Sequence, residues 1–140
     1  MLAALEYLRR ASVGTGRSGR EESLHPDAGT EFLTPERCAI LETWNDSTDP
    51  DVSIARARVE PGVRTQLHHV NVDERYLIIQ GCGIASIGKL RPAEVGPGDV
   101  VVIPARTPQQ ITNSGDSDLV FYCICSPRFT PDGYTALDEA

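Results

Sequence analysis

Short β-like runs separated by turn residues are the feature that most constrains the fold of this 140-residue chain. From Phe32 onward, an apolar or alternating run is broken about every ten residues by glycine, proline, asparagine or aspartate, which is typical of a β-sandwich or β-barrel. No segment has the length and periodicity of a crossover helix, so a parallel α/β sheet is not expected. The sequence predicts an all-β domain with these strands: Cys38–Trp44, Val52–Val59, Tyr76–Gln80, Ile84–Ile87, Arg91–Val95, Val100–Ile103, Gln109–Asn113 and Leu119–Cys125.

Polarity alternates within the run Val52–Val59. Ala55 and Val59 fall on one face with the alanine between them, while an isoleucine and two arginines fall on the other. Successive side chains of a strand point to opposite faces, so this segment is predicted to bury its small apolar side chains. By the same parity, Cys123 and Cys125 share one face of the last long strand, where we expect them to be small core residues.

The stretch Pro61–Gly81 contains two of the three histidines of the chain and an adjacent Asp-Glu pair. It places His68, His69 and Glu74 between a Pro-Gly turn and a glycine that ends a β-run. Imidazole and carboxylate groups are common ligands of divalent metals and common general acids and bases. If His68 points inward on a strand, His69 points outward, which predicts a surface or interface position for His69. A β-bulge would exchange these two roles.

Two ordered motifs in this frame resemble those of the cupin family. Gly62, five residues, His68, then Glu74 and Gly81 are similar to the first cupin motif, G-x5-H-x-H-x3,4-E-x6-G. One position departs from the pattern, because Val70 stands where the second histidine would be. Glycine enters positive φ cheaply, so the same glycines are also expected simply as turns between strands.

The second motif begins at Gly98 and resembles the cupin pattern G-x5-P-x-G-x2-H-x3-N. Pro104 and Asn113 fall in register with it. Two positions depart, with Arg106 for the glycine and Gln109 for the histidine. The resemblance implies an all-β, double-stranded β-helix (jelly-roll) cupin barrel, which forms a homodimer and binds a small-molecule ligand in its interior.

Cupins usually hold a divalent metal through three histidines and a glutamate. The resemblance therefore implies His68 as the first ligand, Glu74 as the third and Gln109 as a substituted fourth. The second ligand is lost at Val70. One imidazole, one carboxylate and one amide oxygen would bind a divalent metal such as Mn, Fe, Zn or Ni weakly or not at all.

Each of these candidate residues also has an ordinary structural interpretation. His68 is either a metal ligand or a buried, hydrogen-bonded core histidine. Glu74 is either a catalytic general base inside the barrel or part of an ion pair at the start of a strand, since an unpaired buried carboxylate is costly. Arg106 is either a substrate-binding residue at the barrel mouth, where its guanidinium would hold a carboxylate or phosphate, or a surface arginine.

Composition limits the partners. Thirteen basic and twenty acidic side chains give a net charge of −7, which disfavours nucleic acid and anionic membranes. No apolar run approaches the ~20 residues that cross a bilayer, and the first ten residues make a poor signal peptide, so a cytoplasmic location is expected. The four cysteines lack zinc spacing and are expected to be reduced core thiols.

The domain organisation predicted is an N-terminal arm or linker over residues 1–28, short-helical or irregular, followed by a barrel over residues 29–140. The expected function is a small cupin barrel that binds a divalent metal and a small polar metabolite, with an isomerase-like or dioxygenase-like reaction. The alternative is a non-enzymatic ligand-binding or sensor protein that kept the barrel and lost its metal chemistry.

Overall fold

A computed structural model describes residues 30–138, and the predicted N-terminal arm lies outside the described residues. The described part contains a single 3-10 turn, Pro131–Gly133, and eleven strands. The strands are β1 (Phe32–Leu33), β2 (Ala39–Trp44), β3 (Ser53–Val59), β4 (His68–Val70), β5 (Asp73–Gln80), β6 (Gly83–Ile87), β7 (Ala93–Val95), β8 (Val100–Ile103), β9 (Gln109–Asn113), β10 (Leu119–Ser126) and β11 (Tyr134–Ala136).

The strands form two antiparallel sheets. The six-stranded sheet has the order β1-β2-β3-β10-β5-β8, and the five-stranded sheet has the order β11-β4-β9-β6-β7. Strands that follow one another in sequence are repeatedly placed in opposite sheets, as in a double-stranded β-helix. The all-β jelly-roll prediction is confirmed for the described residues. Among them, no helix is long and apolar enough to cross a membrane.

The predicted strands are all present, but β5 begins at Asp73, three residues before the predicted start at Tyr76, and several short strands were not predicted. The bounds of β8 and β9 agree with the prediction at both ends. Three strands were not predicted, namely β1, β4 and β11, which are two or three residues long. A strand of this length shows no measurable alternation in the sequence, so only its partner strand defines it.

The inner faces of the two sheets pack together as one main core. On β3, Ala55, Ala57 and Val59 are 6%, 1% and 0% exposed, which confirms the predicted alternation. Larger side chains complete this core, including Ile78, Ile103, Ile111, Leu119 and Phe121. Burial of this apolar surface is the main source of stability, at roughly 25 cal/mol per Å² removed from water.

Gly81 joins β5 to β6 in a turn that no other residue fits. Its φ is +80°, and a Cβ at this position would lie 2.6 Å from the backbone oxygen of Asp118. Gly62 and Gly98 also have positive φ, at 78° and 92°. The motif glycines therefore shape the connections between the strands that carry the site.

Candidate functional site

Between the two sheets lies a cavity of about 40 Å³ whose wall combines polar and apolar side chains. A water molecule needs about 10–15 Å³ by this measure, so the cavity holds a ligand fragment of roughly three or four heavy atoms. Its walls come from both sheets and from the loop before β2. The lining residues are Glu36, Cys38, Ile40, Ala57, Thr65, His68, Glu74, Tyr76, Phe121 and Cys123.

A buried chain of hydrogen bonds joins the two sheets beside this cavity. Glu74 and Tyr76 are two residues apart on β5 and therefore share its inner face, while Gln109 reaches them from β9. The Tyr76 hydroxyl donates to Oε1 of Gln109, and Nε2 of Gln109 donates to Oε1 of Glu74 at 2.8 Å. Gln109 is 0% exposed. This chain fixes the orientation of the Glu74 carboxylate.

Glu74 is a buried carboxylate without a cationic partner. It is 7% exposed, and no lysine or arginine of the described residues lines the cavity. Burial raises the pKa of Glu74 above its ordinary value of 4.5, against the opposing effects of the Gln109 hydrogen bond and the nearby His68. A carboxyl group in this environment is suited to exchanging a proton with a bound molecule.

The imidazole of His68 is another part of the wall of the same cavity. Its Nδ1 lies 2.7 Å from the backbone oxygen of Gln66. A carbonyl oxygen only accepts, so Nδ1 carries a proton, and Nε2 is an acceptor whenever the ring is neutral. The ring stacks on Tyr134 with centroids 4.7 Å apart and an interplanar angle of 17°. His68 is therefore held in one orientation from two sides.

Glu36 is a second carboxylate at the cavity, and the sequence analysis missed it. It precedes β2, in a loop where Arg37 has a φ of 68° and the Glu36 backbone oxygen accepts from the Gln66 amide at 3.0 Å. One Glu36 carboxylate oxygen lies 4.0 Å from Nδ1 of His68, and the other accepts from the Cys38 thiol at 3.2 Å. No motif marks this loop, so the sequence alone gave no signal for Glu36.

The thiols inside the barrel are protonated core groups. Burial is the largest cause that raises the pKa of Cys38, Cys123 and Cys125, and the neighbouring carboxylates raise it further. All four cysteines are free, and the inward position expected for Cys123 and Cys125 agrees with the structure, whereas Cys82 is exposed and the core position expected for it is wrong, because it lies in the turn between β5 and β6. A thiol with a raised pKa is a poor nucleophile at neutral pH.

Val70 belongs to the scaffold rather than to the cavity. It is 4% exposed and packs in a second apolar cluster with Val72, Cys125 and Phe129. The ring of His69, between His68 and Val70 on β4, is half-buried and outside the cavity lining, as parity predicts. The position of the missing second histidine is thus filled by hydrocarbon contacts.

Arg106 lies away from the cavity. Its side chain is exposed and is not among the lining residues, whereas its backbone amide donates to the oxygen of Val70 at 2.7 Å. Its φ is 64°, so it occupies a left-handed turn at the position where the cupin pattern has glycine. The observed role of this residue is a backbone contact between the β8–β9 turn and β4.

His68, Glu74 and Gln109 are brought together, but their donor atoms do not fit a tightly held metal. The Gln109 oxygen accepts from Tyr76, and its amide nitrogen faces Glu74. Only Nε2 of His68 and the Glu74 carboxylate remain as ligand atoms from this set. Among residues 30–138 there is no group of three or more His, Cys, Asp or Glu side chains arranged to hold a metal ion. Three or more protein ligands are usual for a resident transition metal.

The fold and the two motifs define a class of protein, the small single-domain β-barrel with an interior site. The sequence profile of the cupin domain family matches residues 55–125. An uncharacterised protein of Methanocaldococcus jannaschii is 33% identical over 110 residues, which cover 76% of this chain and 87% of the relative. The chain belongs to the cupin family.

Solved structures show the same fold at low sequence identity. KdgF of Halomonas sp. superposes with a TM-score of 0.65 at 17% identity, covering 75% of this chain and 94% of KdgF. Pac13 of Streptomyces, described as a nucleoside dehydratase, gives 0.67 at 16% identity, covering 82% and 88%. Oxalate decarboxylase of Lactobacillus farciminis gives 0.69 at 22% identity, covering 81% of this chain and 35% of the decarboxylase.

Proposed function

We propose that this cupin binds a small polar metabolite in the barrel and moves a proton on it through Glu74 and His68. The observation that carries the proposal is the juxtaposition of two buried proton-transfer groups at one cavity, each held by hydrogen bonds or stacking. Residues preorganised in this way before ligand binding are characteristic of catalytic sites.

The reaction type that fits these residues is an isomerisation or a related proton-transfer reaction. Glu74, when ionised, takes a proton from one atom of the bound molecule, and the protonated Glu74 returns it to another atom. Nε2 of His68 accepts hydrogen bonds from the molecule and is the second site for a proton. Such a reaction is balanced without an oxidant. The metal set implied by the family pattern is not part of this proposal, because Gln109 is already hydrogen bonded to Glu74 and Tyr76.

The second candidate is a non-enzymatic binding or sensor protein. The observation that favours it is the replacement of two metal-ligand positions by Val70, which is packed in hydrocarbon, and by Gln109, which stabilises the scaffold. In that case the cavity binds the same kind of molecule and releases it unchanged. Proton exchange on the bound molecule distinguishes the two candidates.

The proposal includes a homodimer in the cytoplasm. Val100 and Val102 on β8 are 56% and 59% exposed, and Ile79 on β5 is 41% exposed. Leu77 and Val100 are paired across the two strands, so these side chains share the outer face of the six-stranded sheet. An exposed apolar face supports burial against a second subunit. Four free thiols support a reducing compartment.

A ligand screen followed by deuterium exchange tests the proposal. Polar metabolites that can place a group of roughly three or four heavy atoms in the cavity are added to 15N-labelled protein, and binding is read from amide shifts of β4 and β5. Each hit is then incubated in D2O with the wild type. We expect incorporation of deuterium at one carbon of the molecule, whereas a binding protein leaves its proton signals intact.

Variants of the two cavity residues test whether these side chains carry the activity. Glu74→Gln and His68→Gln are expected to reduce deuterium incorporation by at least about 100-fold, the usual contribution of a general base. Glu94→Gln, on the exposed strand β7, is the matched control and should leave the rate unchanged. Ligands that bind and exchange equally well in all three variants would contradict the proposal.

A further inference from the structure

The hydrogen-bond donors on the cavity wall are already used within the protein. The Tyr76 hydroxyl donates to Gln109, and the Thr65 hydroxyl donates to the Ile111 backbone oxygen at 3.3 Å. The Cys38 thiol donates to Glu36. Nδ1–H of His68 is bonded to a backbone oxygen, and the remaining thiol on the wall, Cys123, is a weak donor. The wall has almost nothing to donate to a ligand.

The hydrogen-bond acceptors on the same wall are not fully used within the protein. When the ring of His68 is neutral, Nε2 keeps its lone pair, and none of the hydrogen bonds found among the described residues engages it. The Glu74 carboxylate accepts from Gln109, and the Glu36 carboxylate accepts from Cys38. A carboxylate has about four lone-pair sites, so both retain capacity. His68 is 6% exposed and Glu74 is 7% exposed, so both acceptors are largely shielded from bulk water.

The charge of the cavity wall disfavours an anionic ligand, as the shortage of free hydrogen-bond donors does. Two carboxylates line it, and no lysine or arginine of the described residues does. The rings of Tyr76 and Phe121, with centroids 4.5 Å apart, form an aromatic part of the wall, and such rings attract cations. An anionic ligand would find neither a positive charge nor a free donor there.

We infer that the cavity selects a small organic cation, whose ammonium or amidinium N–H groups donate to Glu36, Glu74 and Nε2 of His68. This inference rests on the proposed function, because it names the class of molecule that the proposed site takes. Carboxylates and phosphates are excluded as the part of the ligand that enters the cavity. Glu36 is the specificity-determining residue that the motif analysis does not identify.

Three molecules of almost the same shape test the inference. Acetamidinium, acetamide and acetate have four heavy atoms each and carry a positive, zero and negative charge. Each is titrated as its sodium or chloride salt, or neat, into EDTA-treated wild-type protein at constant ionic strength. Binding is followed by the amide shifts of β4 and β5. Fragments of this size bind weakly, so titration reaches about 100 mM.

We expect acetamidinium to bind at least about tenfold more tightly than acetamide, with acetate weaker still. In Glu36→Gln, this preference for the cation should fall by at least about tenfold, the effect typical of losing a buried charged partner. Glu94→Gln is the control and should keep it. Glu36→Asp keeps the charge and should keep part of the preference, which guards against a folding defect in Glu36→Gln.

The outcomes separate this inference from the proposed function. If acetate or acetamide binds as tightly as acetamidinium and shifts the amides of His68 and Glu74, the cation preference is wrong while interior binding stands. If acetamidinium binds but shifts only surface residues, the site is wrong. If none of the three shifts these amides, the inference is overturned, and the metabolite screen then decides the proposed function by itself.

Discussion

Two glutamates of this protein, Glu74 and Glu31, have opposite electrostatic environments. Glu31 lies on the outside, where Nη2 of Arg58 approaches its carboxylate to 2.7 Å and Arg56 lies at 3.6 Å. The hydrogen bond from Arg58 is the largest cause that lowers the pKa of Glu31, and the arginine charges add to it. Glu74 accepts a hydrogen bond from the Gln109 amide, which in turn accepts from the Tyr76 hydroxyl, and burial raises the pKa of Glu74.

The difference separates a carboxylate that stabilises the fold from one that is available for a ligand. The folded state prefers the ionised form of Glu31, so its contribution is present above the unfolded pKa, near 4.5, and is lost as the pH falls through the lower folded value. The folded state prefers the protonated form of Glu74, so its cost appears as the pH rises above about 4.5. The cavity carboxylate is thus held at the expense of stability.

The largest expected loss of stability comes from a variant that removes the hydrogen-bond partner of Glu74. Gln109→Leu removes the amide, so the buried Tyr76 hydroxyl and the Glu74 carboxylate each lose a partner. At ~1–3 kcal/mol for each unsatisfied buried group, we expect the free energy of unfolding at pH 7 to fall by about 3 kcal/mol. Urea titration followed by circular dichroism measures it.

Gln110→Leu is the matched control for this prediction. Gln110 is the half-buried neighbour on β9, and its amide nitrogen donates to the backbone oxygen of Thr65 at 3.0 Å. Its loss is expected to cost about 1 kcal/mol. Equal losses for the two variants would show that the interior chain does not support Glu74 as described.

A variant of Glu74 itself is expected to have a smaller effect on stability, of opposite sign, and tests whether Glu74 and Glu31 differ in this way. Glu74→Gln keeps an oxygen that accepts from Gln109 and removes the buried charge, so we expect the free energy of unfolding at pH 7 to rise by ~1–2 kcal/mol. The gain should shrink as the pH is lowered towards 4, because the wild-type carboxyl then becomes protonated in the folded state. Thermal unfolding between pH 4 and pH 8 measures both. A gain independent of pH would mean that the charge is not its cause.

The sequence predicted those features of the fold and site that depend on a local pattern. It did not predict those that depend on contacts between residues far apart in the sequence. Glu74 was placed inside the barrel only through the resemblance to the cupin motif, because the predicted strand began at Tyr76; on the observed strand β5, parity puts Tyr76 on the same face, two residues away. Gln109 was found only through the resemblance to the cupin motif. The bounds of β8 and β9 were predictable because turn residues flank them closely.

Glu36 and Tyr134 were not predictable from the sequence. Glu36 lies in an irregular loop before β2, and Tyr134 lies on a three-residue strand near the end of the described chain. Both reach His68 only because β11 pairs with β4 and the loop bonds to Gln66. The hydrogen-bonding state of Gln109 was equally hidden, because whether an amide serves as ligand or as scaffold depends on the partner that faces it. The chemistry of the site therefore emerged from tertiary contacts.

The smallest expected effect tests the exterior carboxylate. Arg58→Met removes the main partner of Glu31 and keeps an apolar stem, so we expect the free energy of unfolding at pH 7 to fall by about 0.5–1 kcal/mol. The loss should disappear as the pH falls through the lowered pKa of Glu31, where the carboxylate becomes protonated, and should shrink in 0.5 M NaCl because the pair is partly exposed.

Arg75→Met is the matched control for this last prediction. Arg75 is exposed on the outer face of β5 and forms no ion pair with a described residue, so its loss should change stability little at any pH. A pH-independent loss for Arg58→Met would assign the effect to packing instead of charge.

Salt adds a further contrast between the two glutamates, because the gain from Glu74→Gln originates in a desolvated interior and should persist in 0.5 M NaCl. If both effects shrink together, the cavity is open to ions, and the environments of Glu74 and Glu31 differ less than their contacts indicate.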